Sequence, residues 1–264
     1  YAHLSALVRD LGSVLVAYSG GVDSALLLKV ARDELGDRAL GALAVSPAYD
    51  DDETAAALAV AARMGIPVVT VATHEMDNPA YVANGPDRCF HCKQELFTQL
   101  APIAAEHGLA HIAYGVNRDD LGDFRPGQKA ARRHDVAGPL LDAGLGKAEI
   151  RALAQYLGVP VWDKPALACY SSRIPYGTTV TVEALRRVGR AERVVRDLGF
   201  RRVRVRHHDT IARIEVDPDD LPRIVAPEVR AVIDRELRAL GYLYITLDLR
   251  GYRTGSLNDA LHRR

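Results

Sequence analysis

"SVLVAYSGGVDSALLLKVARDELG", residues 13–36, decides how the chain folds. Its first seven residues are a short apolar run rich in strand formers. Gly20 and Gly21 follow, and after Asp23 and Ser24 apolar side chains recur at helical spacing until Gly36 stops them. The stretch therefore predicts a strand, a glycine turn and a helix. The alternation continues downstream, with a strand over "ALGALAV" (39–45), a helix over "DDETAAALAVAARMG" (51–65) and a strand over "IPVVTVA" (66–72). A helix over "KQELFTQLAPIAAEHG" (93–108) and a strand over "LAHIAYGVN" (109–117) come next. Strands alternating with helices predict an α/β fold, a doubly wound parallel sheet running to about residue 160, with ligands at the carboxyl ends of its strands.

The texture changes after "KPALACYSSRIPYG" (164–177). A helix is predicted over 181–199, alternating strands over 201–208 and 210–216, a helix over 226–241 and a strand over 242–248. Two domains are expected: 1–177 around the glycine turn, and a second, smaller α/β domain over 178–264. A chain of 264 residues is long enough for each to bury a core. No stretch approaches the roughly 18 uncharged apolar residues of a membrane span, and no basic segment followed by an apolar one opens the chain. A cytoplasmic protein with no membrane partner is expected. The net charge is zero but unevenly spread: residues 1–123 carry 8 Lys/Arg against 17 Asp/Glu, and residues 124–264 carry 26 against 17. The second half is the place to look for an anion.

Consecutive glycines let the backbone turn without a Cβ clash, leaving several N–H groups and a helix N-terminus facing one spot, and Ser19 and Ser24 add hydroxyls. That spot suits phosphate. The loop lacks the Gly-Lys-Ser/Thr ending of a Walker loop and the third glycine of a dinucleotide fingerprint. Asp23 would repel phosphate unless Mg²⁺ intervened, so a magnesium-linked role is expected for it. Three cysteines are too few for a secreted disulfide scaffold. Cys89 and Cys92 bracket Phe90 and His91, just ahead of the predicted helix, and Cys169 is a distant third. Three readings stand at this point: small apolar fillers, a structural zinc with His91 as fourth ligand, or a [4Fe-4S] cluster with one iron open to sulfide.

Ser-Gly-Gly-x-Asp-Ser in this position resembles the pyrophosphate loop of the N-type ATP pyrophosphatases, which include GMP and NAD synthetases, asparagine synthetase and tRNA thiolases. The resemblance implies an adenine nucleotide alpha hydrolase-like (PP-loop) domain that cleaves ATP between its α and β phosphates. Taken together, "AYSGGVDSALL", "GVNRDDLGDFRPGQKAA", "ACYSSRIPYG" and "RVRVRHHDTIARIE" are similar to the ATP-dependent sulfur transferases of nickel-pincer nucleotide synthesis, the LarE family, from about residue 10 to 255. That resemblance implies adenylation of a carboxylate of pyridinium-3,5-dicarboxylate mononucleotide, replacement of AMP by sulfur, and a second round giving the dithio form. A homo-oligomer is also implied. One branch of the family sacrifices the sulfur of a single cysteine, which Cys169 would match. The additional Cys89 and Cys92 resemble instead the branch whose three cysteines hold a [4Fe-4S] cluster that relays sulfide from a donor.

Site residues follow from the same resemblance. The ATP and Mg²⁺ site is expected at Ala17, Ser19, Gly20, Gly21, Asp23, Ser24, Gly115, Asn117, Asp120, Arg125 and Lys164. Cys169, Asp23, Ser172 and Arg173 are the catalytic candidates, Ser172 and Arg173 facing the activated carboxylate. Ser172, Arg204 and Arg206 are expected to bind substrate, and Glu192 to serve as a metal-binding side chain. Residues 186–213 hold ten arginines against three acidic residues, and Arg204 and Arg206, two apart on a strand, share a face and can grip one phosphate. Tyr156 and Trp162 are read as packing residues, and His207 and His208 as flanking the anion site or solvent. Two rivals remain. A tRNA thiolase calls for a broad basic surface, whereas positive charge here is concentrated in one short region, so a nucleic-acid partner is disfavoured. A non-catalytic nucleotide-binding module with a structural zinc would have no need of Cys169 in an arginine-flanked loop.

Overall fold

A computed structural model describes residues 1–49, 51–122, 126–165, 168–253 and 255–257. The chain divides into two compact units, Tyr1–Asn78 with Asp87–Leu167, and Pro79–Pro86 with the chain from Ala168 onward.

The first unit contains α1 (Ala2–Asp10), β1 (Val14–Tyr18), α2 (Val22–Leu35), β2 (Ala39–Val45), α3 (Asp51–Arg63) and β3 (Val68–Ala72). After the excursion that carries α4 (Pro79–Val82), it resumes with α5 (Arg88–Glu106), β4 (His111–Tyr114), α6 (Gly127–Arg133), α7 (Pro139–Asp142) and α8 (Lys147–Tyr156). The four strands pair in parallel in the order β3-β2-β1-β4, Val14 lying opposite both Ala39 and His111. Both faces of this sheet are covered, as parallel strands require. Val14, Val16 and Tyr18 pack with α1, α2, α3 and α8 on one side. Leu15, Leu40, Ala42 and Val71 pack with α5 and α6 on the other. Alternation along β1 thus feeds two cores. Gly41 sets the spacing of one of them, since a Cβ there would stand 3.0 Å from Leu28 Cδ2 and 2.8 Å from Val68 Cγ2.

The second unit contains α4, α9 (Val182–Asp197), β5 (Val203–His208), β6 (Ile211–Val216), α10 (Leu221–Ile224), α11 (Pro227–Ala239) and β7 (Tyr244–Leu247). β5 and β6 are antiparallel and β7 adds parallel to β6. Val203, Val205, Ala212, Ile214 and Val216 meet the apolar faces of α9 and α11 in a separate core.

The α/β fold with a second small sheet agrees with the sequence. Three local expectations need correction. Helix α5 begins at Arg88 rather than Lys93, so Cys89 and Cys92 lie inside it and not ahead of it. Asp87 starts the helix, Phe90 N–H donating to its carbonyl at 2.8 Å, and the Arg133 guanidinium covers the Phe90 ring 4.9 Å from its centroid. Residues 168–177 group with the second unit, because the Pro79–Pro86 excursion and α9 supply their hydrogen-bond partners. Tyr156 and Trp162 do not pack inside: they are 81% and 38% exposed. Among the described residues, no helix is long and apolar enough to cross a membrane.

Candidate active site

At the carboxyl end of β1 the chain turns through Ser19, Gly20 and Gly21 into α2. Gly20 has φ +70°, and a Cβ there would stand 2.5 Å from the Cβ of Ala57 on α3. Gly21 has φ −85° and ψ 161°, and its Cβ would meet only Ser19 Oγ at 3.6 Å. The two glycines differ in purpose: Gly20 permits the turn and the approach of α3, while Gly21 leaves open space beside the first turn of α2. No side chain caps that helix, so its leading N–H groups are available to an anion. Ser24 is 4% exposed and its hydroxyl braces the loop, accepting from Ser19 N–H and donating to Gly21 O, each at 3.1 Å. Ser19 is exposed while its Oγ lies 3.1 Å from Ser24 Oγ, so the two hydroxyls expected to meet phosphate are bonded to each other. Ala17 is the penultimate residue of β1 behind the loop, and Tyr18, which ends the strand, donates to Ala57 O at 2.9 Å, burial pushing its phenol up to about 12.

The loop after β4 closes on the same place. A Cβ on Gly115 would be 2.9 Å from Ser24 N and 3.1 Å from Asp23 Cβ, so the strand end can approach α2 only as glycine. Asn117 is 2% exposed; its Nδ2 lies 3.5 Å from Asp23 Oδ1, its backbone N–H donates to Asp120 Oδ2 at 3.1 Å, and its Oδ1 accepts from Asp119 N–H at 3.0 Å. Asp23 is ion-paired with Lys147, the first residue of α8, whose backbone N–H donates to Asp119 Oδ2 at 2.7 Å. Lys147 was not singled out by sequence reading. Its signal was there, a lysine opening the amphipathic "KAEIRALAQY" just after the polar loop. Lys164 reaches Glu53 in the first turn of α3 at 2.9 Å, and Arg151 holds its carbonyl at 2.7 Å. Asp23, Asn117, Asp120, Lys147 and the glycine loop therefore form one polar cluster at the ends of β1 and β4. Arg125 lies outside the described residues.

Cys89 and Cys92, three apart in α5, share a helix face, a spacing that suits two ligands of one metal centre. Neither is in a disulfide, and His91 is engaged with Asp87 at 3.2 Å. Among the described residues, no group of three or more His, Cys, Asp or Glu side chains gathers to hold a metal ion. Cys89 and Cys92 belong to the first unit and Cys169 to the second.

In the second unit the residues after Cys169 are pinned one by one. Cys169 O accepts from Ser172 N–H at 3.0 Å, Ser172 Oγ at 2.8 Å and Arg173 Nη1 at 3.2 Å. Tyr170 packs on α9 at Gly189, where a Cβ would strike its ring at 2.7 Å. Ser171 Oγ is 2.6 Å from Tyr81 Oη. Arg173 is 2% exposed and makes a two-pronged pair with Glu192, at 2.6 and 3.1 Å, while its Nη1 also reaches Ala168 O and Ser172 Oγ. Its guanidinium is thus turned inward, holding the loop, rather than outward toward a carboxylate. Glu192 is fully buried and accepts also from Val205 N–H at 3.0 Å, so its carboxylate is committed to protein partners.

Arg204 and Arg206 share a face of β5, opposite Val203 and Val205, as expected. Arg206 pairs with both oxygens of Glu215 at 2.9 and 2.8 Å and donates to Ser172 O and Ser256 Oγ, each at 2.7 Å. Glu215 comes from β6, opposite Arg204, and sequence reading did not single it out. Arg204 stands over the Tyr252 ring, 5.2 Å from its centroid. Burial first, and then the positive charge of Arg173, pull its guanidinium below the usual range. Arg173 and Arg206 both reach Ser172, each of them already paired with a buried carboxylate. His207 is buried against Tyr242, 3.1 Å from its hydroxyl, and faces away from these arginines on the strand.

No family model matches the chain. It is 46% identical over 252 residues to an uncharacterized protein of Synechocystis, covering 96% of this chain and 94% of that one. It is 39% identical over 261 residues to the pyridinium-3,5-bisthiocarboxylic acid mononucleotide synthase of Lactiplantibacillus plantarum, covering 98% and 94%. The chain belongs to the pyridinium-3,5-bisthiocarboxylic acid mononucleotide synthase family. A shorter likeness, 28% over 166 residues and 58% of this chain, joins it to a component of the glutamine-hydrolyzing GMP synthase of Archaeoglobus fulgidus. Against the bisthiocarboxylic acid synthase the alignment runs through both units, so the glycine loop and the pinned arginine face both lie within what the family shares in length.

Proposed function

We propose that this chain is an ATP-dependent sulfur transferase that adenylates the carboxylates of pyridinium-3,5-dicarboxylate mononucleotide and converts them to thiocarboxylates. The near full-length likeness to a synthase of the corresponding bisthiocarboxylic acid carries the reading. The uncapped N-terminus of α2 beside Gly21 supports ATP use, since its N–H groups can cradle phosphate. A substrate carboxylate oxygen attacks the α-phosphorus, the bond to the bridging oxygen breaks, and pyrophosphate leaves. Sulfide then adds to the acyl carbon of the mixed anhydride and AMP departs with the former carboxylate oxygen. Ser19, Gly20, Gly21 and the first turn of α2 would hold the phosphates; Asp23, relieved of Lys147, would take Mg²⁺, and Lys147 would turn its charge to the nucleotide. Arg204, Arg206 and Ser172 would receive the substrate's anionic groups, with Glu215 fixing the Arg206 fork. Asn117, Asp120 and Lys164 would complete the nucleotide side.

Cys89, Cys92 and Cys169 would hold a [4Fe-4S] cluster, which supplies sulfide at its open iron when bound. Two thiols on one helix face support this assignment. Anaerobically prepared protein is expected to contain iron and acid-labile sulfide, and to release pyrophosphate from ATP faster when the dicarboxylate nucleotide is added. Absence of stimulation would sink the activity. A colourless protein that loses one cysteine sulfur per product would replace the cluster by sacrifice of Cys169.

A further inference from the structure

The Pro79–Pro86 excursion is an eight-residue strap bounded by prolines, with both flanks in the first unit and its own residues in the second. At its centre Asn84 is fully buried with φ +56°, a left-handed backbone uncommon for any residue but glycine. Its amide Nδ2 faces three carbonyls: Pro175 O at 2.8 Å, Thr178 O at 2.9 Å and Ile174 O at 3.3 Å. Its own carbonyl accepts from Gly177 N–H at 3.0 Å, Val82 O accepts from Val180 N–H at 2.9 Å, and Tyr81 Oη meets Ser171 Oγ at 2.6 Å. Every one of these bonds lands on the ten residues that follow Tyr170. A surface connection needs no such investment of buried polar groups; a fully buried amide serving three backbone carbonyls fixes the conformation of the segment it holds. The strap leads, three residues after Pro86, into Cys89 at the start of α5.

We propose that Asn84 is a positioning residue for sulfur transfer: its amide clamps the segment after Cys169 to the strap that runs into Cys89 and Cys92, so that the Cys169 thiol keeps one orientation. This rests on the sulfur-transfer reading above. Asn84→Gly tests it cleanly, since glycine keeps the left-handed backbone and removes only the amide. In metal-free protein, iodoacetamide labelling of each cysteine is followed by peptide mass spectrometry. Labelling of Cys169 is expected to speed up about tenfold while Cys92 stays as in the parent, because loosening at the loop exposes that thiol alone. In reconstituted protein, kcat for thiocarboxylate formation is expected to fall about tenfold, while substrate-stimulated pyrophosphate release and the KM for ATP hold.

Unchanged labelling at Cys169, or equal acceleration at all three cysteines, overturns the proposal. Should the parent protein form no thiocarboxylate, the functional reading fails while the labelling comparison still decides the clamp. If Asn84→Gly does not fold, Tyr81→Phe, which removes only the hydroxyl facing Ser171, is put through the same labelling. Parent-like Cys169 labelling there also counts against the clamp.

Discussion

At Gly20 the left-handed backbone and the 2.5 Å approach to Ala57 act together, whereas Gly21 next to it has ordinary φ and open space. Gly20→Ala should therefore lose about 1–3 kcal/mol of stability, read as a lower thermal midpoint. Gly21→Ala should melt within about 0.5 kcal/mol of the parent, yet weaken ATP binding because the new methyl occupies the space beside the α2 N-terminus. A calorimetric titration with ATP separates the two. The pair of glycines was legible in the sequence as a break between strand and helix, but that the turn demands only Gly20 was not. Nor was the hydroxyl of Ser24, since its commitment to Ser19 and Gly21 depends on how the loop curls. Lys147 could be seen opening a helix, but not its pairing with Asp23, which is 124 residues away.

The charges of α9, β5 and β6 belong to elements rather than to single residues. Arg173 and Glu192 are both buried and paired, so Glu192→Leu would leave an uncompensated guanidinium and should cost about 3–5 kcal/mol in denaturant unfolding. Replacing both, Arg173→Met with Glu192→Leu, should recover much of that loss, because no buried charge is then left unpaired. A double variant as weak as the single one would show that the loop needs the pair's other bonds instead. On β5 His207 has its imidazole pulled down, by burial first and then by Arg187. The folded state thus favours the neutral ring and the unfolded chain binds the proton more readily. Its contribution to stability is full above the unfolded value near pH 6.5 and is lost as pH falls below it. The thermal midpoint should drop between about pH 7.5 and pH 5.5, and drop less in His207→Phe. Sequence made the shared face of Arg204 and Arg206 plain through strand periodicity. It could not tell that Glu215 and Ser172 would already occupy most of the Arg206 fork, because those partners come from β6 and from the Cys169 loop.

Across the whole chain, strand and helix periods were strong enough to read β1 to β4 and the smaller sheet correctly. The boundary between units was harder, since it is set by long-range hydrogen bonds at Tyr81, Asn84 and Glu192 that have no local pattern. Likewise the start of α5 was hidden, "RCFHC" offering little helical periodicity of its own. Synthesis of the chain meets the strap in an unusual order. Asn84 emerges from the ribosome 94 residues before Thr178, whose carbonyl it will bind. At roughly 5–20 residues per second it waits some 5–20 s without that partner, while the first unit's helices and strands are being made around it. The second unit cannot reach its final form until the loop after Cys169 arrives, so the segment that carries this thiol is set late, when the glycine loop of the first unit has long been made.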